Sequence, residues 1–103
     1  MNALILNGVL VGDPRMSVTK DGATKAVFTV ACDGKDLPLH FACLAFGYQG
    51  ETVRSLRDGD EILLSGRMTA SAVTKTMAII ANSIEILVER EDDHGNEGTA
   101  ASE

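Results

Sequence analysis

Apolar residues in this chain fall on both faces of its strand-like stretches, a pattern that predicts strands covered on two sides rather than one. Residues 3–11 (ALILNGVLV) place Leu4, Leu6 and Leu10 on one face and Ile5, Val9 and Val11 on the other. Gly8 marks strong curvature or a close backbone approach, and Gly12-Asp13-Pro14 is expected to end the strand. Residues 16–30 predict a hairpin closed around Lys20-Asp21-Gly22, since Asp-Gly suits the positive-φ positions of a tight turn. A short polar connection, 33–38, leads into a third strand over 39–46. Along it Phe41, Cys43 and Ala45 point one way, and His40, Ala42, Leu44 and Phe46 the other. That second face needs a cover, either another subunit or a ligand.

Gly47 and Gly50 then punctuate the chain, and 51–57 predicts one short helix burying Val53, Leu56 and the stem of Arg57. Asp58-Gly59-Asp60 stops it, with Gly59 free to take a positive φ. A fourth strand follows over 61–68, where Gly66 suggests a bulge, and 69–74 predicts a loop or weak hairpin tip. The fifth strand covers 77–87, with a bend at Asn82-Ser83. Five strands with one short helix between the third and fourth give an all-β protein in the order of an OB-fold, a small Greek-key barrel. A sandwich needs more strands than the chain provides.

Composition adds boundaries. The 103 residues suffice for one domain, and no stretch is apolar enough for a bilayer span. Met1-Asn2-Ala3 leads straight into a strand pattern rather than a signal peptide, so a cytoplasmic location is expected. The net charge of −6 is unevenly spread. Residues 1–88 are near neutral, whereas 89–103 (EREDDHGNEGTAASE) turn acidic and small and read as a disordered tail. The tail is either a solubilising end or a segment that competes with DNA for a basic face or recruits a basic partner. Cys32 and Cys43 make a poor disulfide framework, because hairpin register puts Cys43 near Phe28, and both read as buried free thiols. Catalysis is not expected. His40 and His94 are the two histidines, His94 lies in the tail, and His40 and Cys43 fall on opposite strand faces. No phosphate-cradling glycine motif, metal site or cofactor is read from the sequence.

The pieces LILNGVLVGDP, DGATKAVFTVA, HFACLAFG, VRSLRDGDEILLSGRM and MAIIANSIEIL stand in the order and spacing of the bacterial single-stranded DNA-binding protein (SSB) family. The chain resembles that family over about residues 4–87, most diagnostically in Gly-x-Leu-x-x-Asp-Pro at 8–14 and in the strand–Gly, helix, Gly-Asp, strand–Gly-Arg succession. The resemblance implies single-stranded DNA as partner, bound by base stacking on aromatic rings in a basic groove. It also implies a homodimer or homotetramer acting in replication, repair or recombination. The departures fall on the binding surface. His40 stands where the family shows a tryptophan, Ala42 where it shows an arginine, and 69–73 where it carries a basic finger. The chain has no tryptophan, and its tail lacks the family's apolar tip. The short chain and poor stacking surface are also similar to the primosomal replication protein N branch. That likeness implies an interaction module of the replication-restart primosome, with weak or no DNA binding and DNA-processing proteins as partners.

On this basis Phe46, which matches a family phenylalanine, is the first stacking candidate, with a subunit interface as its other reading. His40 could stack or contact phosphate, or be a plain exposed histidine. Tyr48 reads first as a loop residue packing its ring on the barrel and second as a base platform. Lys25, Lys20, Arg15, Lys35, Arg67 and Lys75 are candidate phosphate contacts, each individually readable as a solvated surface charge. Arg54 and Arg57, on the helix, receive no DNA role.

Overall fold

The computed structural model describes residues 2–70 and 75–88. The tail, and most of the expected hairpin tip, lie outside the described residues. Five strands, β1 (Leu4–Val18), β2 (Thr24–Cys32), β3 (Leu39–Phe46), β4 (Glu61–Ala70) and β5 (Met77–Val88), close in the order β1-β2-β3-β5-β4. One helix, α1 (Tyr48–Arg54), lies between β3 and β4. This is the OB-fold arrangement: β3 and β5 run parallel and every other neighbouring pair antiparallel.

The interior takes one face of each strand. Leu10, Phe28, Val30, Cys43, Ile62 and Leu64 are buried together, and Val53 of α1 and Leu56 just after it join the same core. Phe28 and Cys43 are in register, as hairpin geometry requires, and both cysteines are free. Cys43 is fully enclosed, and burial together with the neighbouring Cys32 thiol pushes its pKa up to about 12.

Five expectations are corrected. Gly12-Asp13-Pro14 does not end β1; the strand runs on to Val18 through a bulge. Val11 pairs with Thr29 and Arg15 with Val27, so residues 12–14 stand against Phe28 alone, with Gly12 at φ 75°. β1 serves two partners, β4 along residues 4–9 and β2 from Val9 onward. The helix occupies Tyr48–Arg54 rather than 51–57. Gly50, read as punctuation, is instead the helix's buried contact: a Cβ there would stand 3.1 Å from the Thr24 carbonyl oxygen and 3.2 Å from that of Ala45. A side chain would hold α1 off the sheet. Arg57 consequently lies beyond the helix and is exposed. Gly59, at φ 94°, turns the chain into β4 instead of capping the helix, whose C-cap is Ser55.

The sequence motif at 8–14 has a structural job. Asp58 Oδ1 accepts the Gly12 N–H at 2.7 Å, and Asp13 Oδ1 accepts the Asp58 N–H at 3.1 Å. The Leu10 N–H donates to the Asp60 carbonyl at 2.8 Å and the Gly59 N–H to the Leu10 carbonyl at 2.9 Å, so the β1 bulge and the turn before β4 are fastened to each other. Buried Asp60 accepts the Arg57 N–H at 2.8 Å and shapes that turn. The expected bulge at Gly66 and bend at Asn82-Ser83 are one feature: Ser65 pairs with Ser83 and Gly66 with Ala81, leaving Asn82 as the extra residue.

Candidate nucleic-acid interface

The β2–β3 hairpin turns its second face outward, and the register fixes which side chains share it. Lys25 is opposite Phe46, Val27 opposite Leu44, Thr29 opposite Ala42, and Ala31 opposite His40. On the far side of β2, Arg15 of β1 stands opposite Val27 and Ser17 opposite Lys25. Directly opposed residues have Cβ atoms about 5 Å apart, so Lys25 and Phe46 are immediate neighbours. Phe46 is 39% exposed, with its remaining surface supported by the sheet.

The candidates divide between two ends of this face. Phe46, Lys25 and Arg15 come together at one end. Lys20 joins them on the β1–β2 turn, where Thr19 accepts the Gly22 N–H and Gly22 takes φ 86°. Tyr48 opens α1 at the same end. Its ring is not packed on the barrel: the residue is 81% exposed, because the helix starts at Tyr48 and buries Gly50 and Val53 instead.

His40 stands six residues from Phe46 along β3, about 20 Å away. It is exposed and borders a shallow hollow of about 240 Å³ with Phe41, Ala42, Met68, Met77, Ala78 and Ile79. Lys35 lies in the β2–β3 connection at this end, and exposed Lys75, at φ 60°, precedes Met77 by two residues. Arg67 is exposed on β4, in register with Ile80, which in turn is in register with Leu44. It therefore sits two strands from the β3 row, round the curve of the barrel.

Sequence reading missed several lining residues. Half-buried Val27 and Ile80 flank Leu44, already expected on this face, in an aliphatic row across β2, β3 and β5. Met68 and Met77 wall the hollow beside His40. Alternation within AVFTVA could have flagged Val27; nothing local flags the methionines, whose proximity to His40 depends on the parallel β3–β5 pairing.

The local field also depends on a pair that the sequence hid. Glu51 accepts Arg54 Nε at 3.0 Å and Arg54 Nη2 at 3.2 Å, and also accepts the Thr24 hydroxyl. The hydrogen bonds from Arg54, then Thr24, hold its carboxyl below the usual range. The carboxylate next to the Lys25 strand is thus matched by its own cation. The acids Asp13, Asp58 and Asp60 are engaged in the β1–β4 fastening. His40 and Cys43 lie on opposite faces, one exposed and one buried. Among the described residues, no group of three or more His, Cys, Asp or Glu is placed to hold a metal ion, and no helix is long and apolar enough to cross a membrane.

No family model matches the chain, and neither does any curated protein sequence. Solved structures do. The SSB domain of a Synechococcus sp. protein is similar at a TM-score of 0.74 and 22% identity, covering 82% of this chain and 93% of that domain. The wild-type single-stranded DNA binding protein from Thermus aquaticus is similar at a TM-score of 0.78 and 23% identity over 92% of this chain. A deletion mutant of the Thermus protein gives 0.79 and 22%, also over 92%. The chain spans 44–45% of the length of the Thermus proteins. At these identities the likeness establishes a shared barrel fold.

Proposed function

We propose that this chain binds single-stranded DNA without regard to base sequence, in replication, repair or recombination in the cytoplasm, through the outer β2–β3 face of a homo-oligomer. The observation that carries the reading is Phe46, half-exposed on the outside of the barrel with Lys25 directly across from it. A ring beside a cation suits a nucleotide, since every base has a π-face and every linkage a negative charge. The fold shared with proteins named for single-stranded DNA binding supports the same reading. Lys20 and Arg15 extend the basic end, while His40, Lys35, Lys75 and Arg67 serve as outlying contacts along a longer strand.

The test is fluorescence anisotropy of labelled oligo-dT across a salt series. With Lys25, Lys20 and Arg15 on phosphates, log K falls against log salt with a slope of about −2. Phe46→Ala weakens binding by about 1–3 kcal/mol. Absence of binding at tens of micromolar protein and low salt ends the reading.

Self-association belongs to the same proposal. Along 4–8, β1 pairs with β4 only, its pairing with β2 starting at Val9, and its outer face exposes Ile5, Val9 and Val11. A second copy of this chain covers that surface.

The competing reading is a replication-restart interaction module with weak or no DNA binding. The hollow between His40, Met68 and Met77 favours it, since methionines adapt to varied apolar partners. Under it Phe46→Ala damages capture of a replication protein while leaving DNA affinity unchanged.

A further inference from the structure

We infer that Tyr48 is a second stacking platform, so that a bound single strand leaves β3 over Phe46 and continues onto the ring at the start of α1. The inference rests on the single-stranded DNA reading above and extends it round the end of the barrel.

Phe46 and Tyr48 are separated by Gly47 alone, and their Cα atoms lie at most about 7 Å apart. Gly47 takes φ 59°, a conformation that turns the chain sharply between strand and helix. Its N–H is held by the Thr24 carbonyl at 2.8 Å, which fixes the turn against β2 beside Lys25. The two aromatic residues are therefore carried on a braced corner. A single exposed apolar residue needs no explanation. Here two exposed aromatic residues, Phe46 at 39% and Tyr48 at 81%, stand on either side of one glycine.

The charges around this corner select the occupant. Lys25 is opposite Phe46, and Lys20 is on the adjoining turn. The acids at this end are Glu51, which Arg54 and Thr24 hold, and exposed Asp21 beside Lys20. Two cations next to two accessible rings suit a ligand with alternating negative charges and flat apolar groups. A tyrosine ring supplies a broad contact area with few rotatable bonds to immobilise. The exposed rings of Phe46 and Tyr48 lie at one end of the outer face of β3, with His40 and Ala42 toward the other.

Tyr48 is the one tyrosine of a chain without tryptophan, so its emission reports on this position alone. The experiment titrates the full chain with oligo-dT, following anisotropy of the labelled oligonucleotide and tyrosine emission in parallel. Binding is expected to quench the emission with the same dissociation constant that anisotropy gives. Tyr48→Ala is expected to weaken binding about 5- to 150-fold, and Tyr48→Phe to retain it. Binding by the wild type with unmoved emission overturns the inference and leaves the DNA reading standing, as does an unchanged affinity in Tyr48→Ala. Absence of any anisotropy change at low salt overturns both.

Discussion

At the scale of single residues, burial decides the chemistry available. Cys43 is enclosed, and burial pushes its thiol pKa up to about 12, whereas an exposed cysteine ionises near 9.0. Between those values the unfolded chain releases a proton that the folded chain keeps, so the unfolded state gains as pH rises. The stability contributed by this thiol is complete below pH 9 and lost progressively above it. Wild type should be the more stable protein at pH 8, since Cys43→Ala opens a small void. The gap should close as pH climbs, at a limiting rate of about 1.4 kcal/mol per unit. Urea midpoints of both proteins at pH 8 and 10.5 check this; a constant gap contradicts it. Residue type and alternation were enough to place Cys43 inside and Phe46 outside. They were not enough for Tyr48, whose exposure depends on where the helix begins.

Among the elements, the strands were largely legible and their irregularities less so. Strand faces follow from a period of two, and the five strands and single helix occur in the expected order. The helix lies three residues before its expected place because Gly50 is no breaker: its missing side chain is what admits α1 to the sheet. The continuation of β1 past Pro14 was hidden for a related reason. Local turn chemistry at 12–14 is real, but pairing with β2 on the far side absorbs it as a bulge. Gly66 was read correctly, and its role gives a measurable consequence. A Cβ there would run into the carbonyl group of Ile80, backbone that cannot swing aside like a side chain. Gly66→Ala should cost about 1–3 kcal/mol in chemical denaturation, while oligo-dT affinity of the remaining folded protein should change little. Wild-type stability in this variant would show that the β4–β5 bulge has slack.

For the whole molecule, the register explains why the sequence marked an architecture more firmly than a binding surface. The resemblance rests heavily on Gly8–Pro14 and Gly59-Asp60, and these residues fasten β1 to the turn before β4. They identify the barrel, and none of the candidate nucleic-acid contacts is among them. The candidate surface is assembled from separate strands, and its balance of charge depends on partners such as Glu51 and Arg54. The outer side of β1 has its own expected outcome. Ile5 is 74% exposed beside the stretch that pairs with β4 alone. Ile5→Glu should shift the mass measured by light scattering toward one chain and leave the circular dichroism spectrum intact. A wild-type chain that is already monomeric at tens of micromolar would remove the oligomer from the proposal.

The double partnership of β1 also governs when the fold can exist. Its first residues meet their mates late in the chain, Leu4 with Gly66 and Leu6 with Leu64. Such distant pairings slow folding, because a long loop must close before they give any return. During synthesis the opening segment has to wait, half matched, until the fourth strand has left the ribosome.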